Sequence, residues 1–424
     1  MTLLDKIIKI RRRMIRKFGF TNFTSFKESV EVNFELDGKT PEYISNGDPI
    51  STVMGIKGAN GSGKTNILRA LAFLSYFCIT GAREIIKGKD NQRRSSVAVE
   101  SFFGNPDDTE FFVDFEKNGT EFTYELNINN GVITREYIAR RSQRTVVLLE
   151  RKFNDITDSI SNFSEFNNFE LKEDTSVLEM LTQYKFKNDI SELMTVRDFF
   201  YQMIVNVNID GYHEMDFDLY QECETLFDYP YRYEFLKEFL TSADLSLKDI
   251  SIEVGRDTEG NEVHYPVFHH YVDNETTKAL SFSQQSDGTK KLFSILGSYF
   301  TVLETGGILV LDEFDIHLHA KILPLIVNLF LNKKINPLGA QFIFTSHNTE
   351  IIDSLSKYRT FLVNKEESES FGYRLDEIPG SMIRNDRPIT PLYVDGKLGG
   401  IPLFRESRIE ELMHKRHTGE TYGS

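Results

Sequence analysis

Three observations in the sequence predict an α/β fold of the P-loop NTPase type, with an antiparallel β-layer and an inserted helical subdomain. First, an apolar strand over residues 52–56 feeds the glycine-rich run Gly58-Ala-Asn-Gly-Ser-Gly-Lys-Thr65, which opens a helical pattern over 66–76. Second, an all-apolar strand over 307–311 ends in Asp312-Glu313, and another over 341–345 follows it, with helical patterns between, as parallel-sheet units require. Third, residues 97–103, 110–115 and 122–128 alternate apolar with polar side chains, and Asn118-Gly119 and Asn130-Gly131 supply hairpin turns.

Taken in chain order, residues 1–17 alternate Ile7, Ile8, Ile10, Met14 and Ile15 with Lys6, Lys9, Arg11, Arg12, Arg13, Arg16 and Lys17, which reads as a basic amphipathic helix. Its basic residues interrupt any signal-peptide core, so it reads as an extension docked on the protein or a subunit, or as a contact to nucleic acid or a partner. Short strands start at Phe18, and residues 18–150 hold the P-loop in a first lobe of the head. Residues 151–244 are acidic, aromatic and glycine-poor, with helical periodicity over 176–184 and 190–200; they read as a helical insertion without sustained heptads. Strands return in a second lobe, 245–365, and a carboxy-terminal extension occupies 366–424.

The P-loop carries the clearest chemistry. Its glycines let the backbone N–H groups of Gly58, Asn60, Gly61, Ser62 and Gly63 close around phosphate oxygens, and the helix that starts near Asn66 points its positive end at them. Lys64 is then expected to reach the β- and γ-phosphates of ATP, and Thr65 to offer a hydroxyl to Mg²⁺. Acids at the carboxyl end of a buried parallel strand lie where open α/β sheets bind ligands, so Asp312 is expected to hold Mg²⁺ and Glu313 to act as general base. His347, at the end of the next strand, is expected to sense the γ-phosphate. Ser286-Asp-Gly288-Thr, opening a helix, reads by itself as an ordinary N-cap.

These four segments, in this order, resemble the ABC-type ATPases of the overcoming-lysogenization-defect, RecF and SMC-like branch, and Asn22-Phe-Thr-Ser-Phe26 is similar to the segment that opens many such heads. The resemblance covers about 18–145 and 245–365. It implies that Gly58 through Thr65 form the Walker A, 308–313 the Walker B, His347 the H-switch, and Asp315 part of the D-loop. It further implies that Ser286 and Gly288 belong to a shortened signature binding the γ-phosphate of ATP held by a second head, so that two copies assemble through ATP. One departure stands out: the Q-loop glutamine is expected near 97–103, which reads VAVESFF, and Gln92 lies earlier. The run GKLGGIPLF over 396–404 is similar to ATPases of abortive-infection and phage-defence systems, in particular the ATPase subunits of phage anti-restriction-induced systems. That likeness implies a phage protein as trigger and a TOPRIM-type nuclease toxin as effector.

Composition narrows the alternatives. A net charge of −15 and pI near 5.2 argue against coating nucleic acid through overall charge, although a local face of Arg135, Arg140, Arg141, Arg144 and the amino-terminal arm would suit a RecF-like repair ATPase. A nucleotide-dependent scaffold with little hydrolysis is the third reading. Two cysteines, Cys78 and Cys223, form no metal motif and read as reduced thiols of a cytoplasmic protein. No run of about 18 apolar residues predicts a membrane span. Asp216-Phe-Asp218 has the letters of a nuclease metal pair but no apolar strand leading to it, and His264, His269, His270, His317 and His319 lack zinc spacing.

Overall fold

The computed structural model describes residues 13–87, 93–273, 276–401 and 406–418. A six-stranded sheet forms its centre, in the order Met203–Val205, Ile308–Leu311, Gln341–Thr345, Val53–Gly58, Thr360–Glu366 and Glu369–Arg374. The first five strands run parallel and the last antiparallel. Ile308-Leu-Val-Leu311 has no polar side chain because both sides of the strand are covered. Ile308 and Val310 pack with the helix Lys64–Ile79 in one core, while Leu309 and Leu311 join a second core with the helix Asp287–Thr305.

A seven-stranded antiparallel sheet covers the first core, in the order Asp155–Ser159, Thr145–Lys152, Val132–Arg141, Thr120–Asn129, Thr109–Lys117, Arg13–Thr21 and Val30–Asn33. At both predicted Asn-Gly turns the two residues have positive φ, 56° and 75° at Asn118-Gly119 and 48° and 73° at Asn130-Gly131, the backbone of a type I′ hairpin turn. A three-stranded sheet, Leu247–Arg256, Glu262–Tyr271 and Thr277–Ser281, leads directly into the helix opened by Ser286. Cys78 and Cys223 are free and buried.

Several expected elements differ. The amphipathic helix over 1–17 does not extend over 13–17, because Arg13–Thr21 is a strand; residues 1–12 lie outside the described residues. Alternating apolar and cationic residues suit either structure, and tertiary contacts decide. Met14 and Ile15 are fully buried, and the Gln341 amide accepts from Ile15 N at 2.6 Å and donates to Ile15 O at 3.0 Å. Residues 97–103 are not a strand: one hairpin strand ends at Val97, and Phe102–Gly104 is a short 3-10 turn.

The insertion over 151–244 is only partly helical. It contains Ser191–Tyr201, Leu219–Asp228 and Pro230–Ala243, but also Asp155–Ser159 of the antiparallel sheet and Met203–Val205 of the central one. The helical periodicity over 176–184 shrinks to Val177–Met180. Beyond residue 366 the chain does not leave the head, since Glu369–Arg374 completes the central sheet.

Candidate functional site

The Val53–Gly58 strand ends where the P-loop begins, and the loop needs glycine at two points. Gly61 and Gly63 have φ of 74° and 107°, left-handed values that side chains disfavour; a Cβ on Gly63 would also lie 2.9 Å from Phe26, Ser25 and Ser370. Gly63 caps the helix Lys64–Ile79 without a side-chain hydrogen bond, so the helix presents bare N–H groups to the loop. Asn60 and Gly61 are exposed at the loop's crest. Ser62 is buried, and its Oγ has no hydrogen-bond partner. Lys64 Nζ donates to the carbonyls of Gly58 and Ala59 at 3.0 Å each. Burial lowers the pKa of Lys64, while Asp312, Glu313 and Asp315 oppose that shift.

Sheet order brings the acids beside the loop. Thr65 Oγ1 donates to Asp312 Oδ2 at 2.8 Å, and Thr345, from the histidine strand, donates its hydroxyl to Asp312 Oδ1. Thr345 Oγ1 in turn accepts from Glu313 N at 2.8 Å. Glu313 has φ of 49°, an unusual backbone for a residue with a side chain. Its carboxylate is about two-fifths exposed, with Oε1 3.9 Å from His347 Nε2. The structure thus gathers Gly58, Ser62, Gly63, Lys64, Thr65, Asp312, Glu313 and His347 at the carboxyl ends of adjacent strands. This donor set fits a triphosphate with a hard cation: a buried ammonium and orphan hydroxyl at the loop, and a hydroxyl and carboxylate in contact where Mg²⁺ would be held.

Asn66 stands apart. Its Nδ2 donates to Ser25 Oγ at 2.9 Å and its Oδ1 accepts from Arg69, so both ends of the amide are bound within the fold. Ser286 and Gly288 belong to a different neighbourhood. Ser286 Oγ accepts from Thr289 N at 3.2 Å as an N-cap, and a Cβ on Gly288 would come within 2.9 Å of His317 O.

The family model described as "AAA domain, putative AbiEii toxin, Type IV TA system" matches residues 53–353, spanning the P-loop strand, the acid strand and the histidine strand. The chain belongs to this AAA family. Among solved structures it is similar to the SMC head domain from Thermotoga maritima, at 15% identity and a TM-score of 0.43, covering 85% of this chain and 98% of that one. It is also similar to an SMC head bound to the C-winged helix domain of ScpA (12%, TM-score 0.43, covering 85% and 96%). A third is an SMC head with extended coiled coil bound to the C-terminal domain of ScpA derived from Pyrococcus furiosus (12%, TM-score 0.42, covering 86% and 97%). No curated protein matches.

In this AAA-family chain Met203–Val205 flanks the acid strand on the side away from the histidine strand, so the segment that follows it lies against the site; Gln92 is outside the described residues. Asn206 is its first residue. Asn206 Nδ2 donates to Asp312 O at 3.0 Å and its Oδ1 accepts from Asp312 N at 2.6 Å, locking the acid strand's end. The hairpin Val207–Asn208 and Gly211–Tyr212 comes next, where a Cβ on Gly211 would lie 3.9 Å from Thr65 Cγ2 and Ile209 O accepts from Arg69. Burial, followed by the charges of Glu214, Glu313 and Asp312, raises the pKa of Tyr212. The two-residue turn, Ile209-Asp210, lacks the Asn-Gly letters that mark such hairpins, and nothing in the sequence ties it to the acids.

Asn206→Ala should therefore lower stability by about 1–3 kcal/mol, since it leaves both backbone groups of buried Asp312 without partners. Chemical denaturation measures this directly, and an unchanged midpoint would show that the two bonds add nothing.

Proposed function

We propose that this P-loop ATPase-family protein binds ATP with Mg²⁺, hydrolyses it at a site completed by a second head, and serves as sensor and scaffold of a bacterial anti-phage defence system. The observation that carries the nucleotide reading is the Thr65–Asp312–Thr345 chain of hydrogen bonds beside Lys64, which joins the P-loop, acid and histidine strands at one point. ATP would supply the phosphoanhydride and Mg²⁺ the charge that polarises it. Lys64 binds and orients the phosphate end, and Thr65 and Asp312 hold the cation's place. Glu313 accepts a proton at its carboxylate, and His347 stands beside it at the phosphate end.

The head-to-head reading rests on Ser286 and Gly288. Ser286 bonds to Thr289 and Lys290 N, and Gly288 lies near His317 O; none of these is a P-loop residue, so a second copy is the natural source of the opposing P-loop. The defence role, with a phage protein as trigger and a TOPRIM-type nuclease toxin as effector, draws on the toxin–antitoxin description of the family and on the GKLGG run. A Cβ on Gly400 of that run would come within 3.6 Å of Gly58 Cα, at the base of the P-loop. The repair alternative draws less support. Of its four arginines, Arg135 is ion-paired with Glu125 and Glu150, Arg140 with Glu192, and Arg141 with Asp114.

Ser286→Arg should keep ATP affinity in a single chain and lower turnover at least about tenfold by occluding the facing site. Mixed with Lys64→Ala, it should regain activity, to roughly a quarter of wild type if sites act independently in randomly mixed pairs. Tagged co-purification must show that the chains exchange. Mixed pairs as inactive as their parents would remove the two-head reading, and normal turnover by Ser286→Arg alone would reduce the segment to a helix cap.

A further inference from the structure

Lysine is rarely placed inside a central parallel strand, where its charge must be compensated. Lys57, next to last in the P-loop strand, is 1% exposed. Its Nζ donates to Ser346 O and to Asn348 O, each at 2.6 Å. From beyond the acid strand, Asp315 Oδ2 accepts from Ser346 Oγ at 2.9 Å, His347 N at 3.0 Å and Asn348 N at 2.9 Å. Residues 346–348 are thus gripped from two sides. Their carbonyls meet a buried cation, and their donors meet an anion two residues beyond Glu313.

We propose that Lys57 and Asp315 form a clamp that fixes the loop carrying His347, and so set the distance between His347 and the Glu313 carboxylate; they are positioning residues for the hydrolysis proposed above. The inference rests on that ATPase reading. Lys64 already holds the P-loop carbonyls, whereas Lys57 spends its donors on the loop beyond the neighbouring strand. Burial pulls the pKa of Lys57 down to about 7, with Asp315 opposing and Lys64 adding to the shift. A lysine kept in so unfavourable a place, with both bonds made to carbonyls of one loop, is explained by what it holds. The clamp also joins elements far apart in the sequence. The loop follows directly on Thr345, whose hydroxyl bonds to Asp312 and to Glu313 N.

The test compares Lys57→Met, which keeps volume and removes the charge, with His347→Ala and the double variant, all in the full-length chain. Affinity for a fluorescent ATP analogue, kcat, KM and melting temperature are read for each. The clamp predicts analogue affinity and KM within about threefold of wild type but kcat lower by ~10–100-fold, the scale of a small misplacement of a reacting group. Adding Lys57→Met to His347→Ala should then change kcat by less than about twofold, because both act through one side chain. A wild-type kcat in Lys57→Met, or effects that multiply in the double variant, would overturn the clamp. Should Lys57→Met fail to fold, Asp315→Asn carries the same cycle with the same criteria. Wild-type turnover in His347→Ala alone would mean that the γ-phosphate reading of His347 has failed and the clamp with it. An impaired His347→Ala beside an unimpaired Lys57→Met means that the clamp alone has failed.

Discussion

Glu313→Gln is expected to bind ATP as the wild type does and to lose turnover by ~10²–10⁴-fold, the usual contribution of a positioned general base. The backbone explains why this carboxylate is aimed rather than merely present. Glu313 adopts φ of 49°, a conformation costing about 1–3 kcal/mol for a residue with a side chain, and its N–H is tied to Thr345 Oγ1 at 2.8 Å. The carboxylate itself is two-fifths exposed, and its Oε1 lies 3.9 Å from His347 Nε2. Glutamine keeps the volume and the backbone bond, so stability should stay within about 0.5 kcal/mol. Phosphate release measures the chemistry, and size-exclusion chromatography in ATP should show a longer-lived paired species. Release at the wild-type rate would remove Glu313 as the base.

Lys64→Ala should weaken ATP binding by ~10–100-fold or more, since a hydrogen bond to a charged group contributes about 1.5–3 kcal/mol and the ammonium is expected to touch two phosphates. Lys64 is buried, 7% exposed, and its Nζ rests on the Gly58 and Ala59 carbonyls of a loop whose crest is open to solvent. Removing it should change the melting temperature of the nucleotide-free protein little. It should abolish the rise that ATP induces, because that rise scales with ligand concentration over Kd. A variant whose melting temperature still climbs with ATP as the wild type's does would show that Lys64 does not hold the phosphates.

The parts of the site that were legible from sequence are those written locally. The P-loop, the acid pair and the histidine each end an apolar run, and the strands found at Val53–Gly58, Ile308–Leu311 and Gln341–Thr345 lie within two residues of their predicted bounds. What escaped depends on partners distant in the chain. Met203–Val205 is a three-residue strand in an acidic, aromatic stretch, and only the ladder offered by Ile308–Val310 makes it one. Without that strand the residue bracing Asp312, Asn206, looks like any loop asparagine. Arg13–Lys17 carries a pattern that helix and strand share, and the Gln341 amide that selects the strand sits 326 residues away. Lys57 lies just past the expected strand 52–56, and nothing in the sequence ties it to the carbonyls of Ser346 and Asn348 that its Nζ meets.

The order of strands in the central sheet also bears on how the protein is made. The P-loop strand is flanked by Gln341–Thr345 on one side and Thr360–Glu366 on the other, with Val53 facing Phe342 and Gly55 facing Thr360. On a translating ribosome adding about 5–20 residues per second, the nearer of these neighbours follows the P-loop strand by roughly 15–60 s. Throughout that interval Val53-Met-Gly-Ile56 has neither of its ladder partners, and loop closure over so long a stretch must precede any reward from pairing. The nascent chain is therefore expected to expose an apolar, unpaired strand until Gln341–Thr345 emerges, a window in which chaperone capture competes with aggregation and in which the nucleotide site does not yet exist.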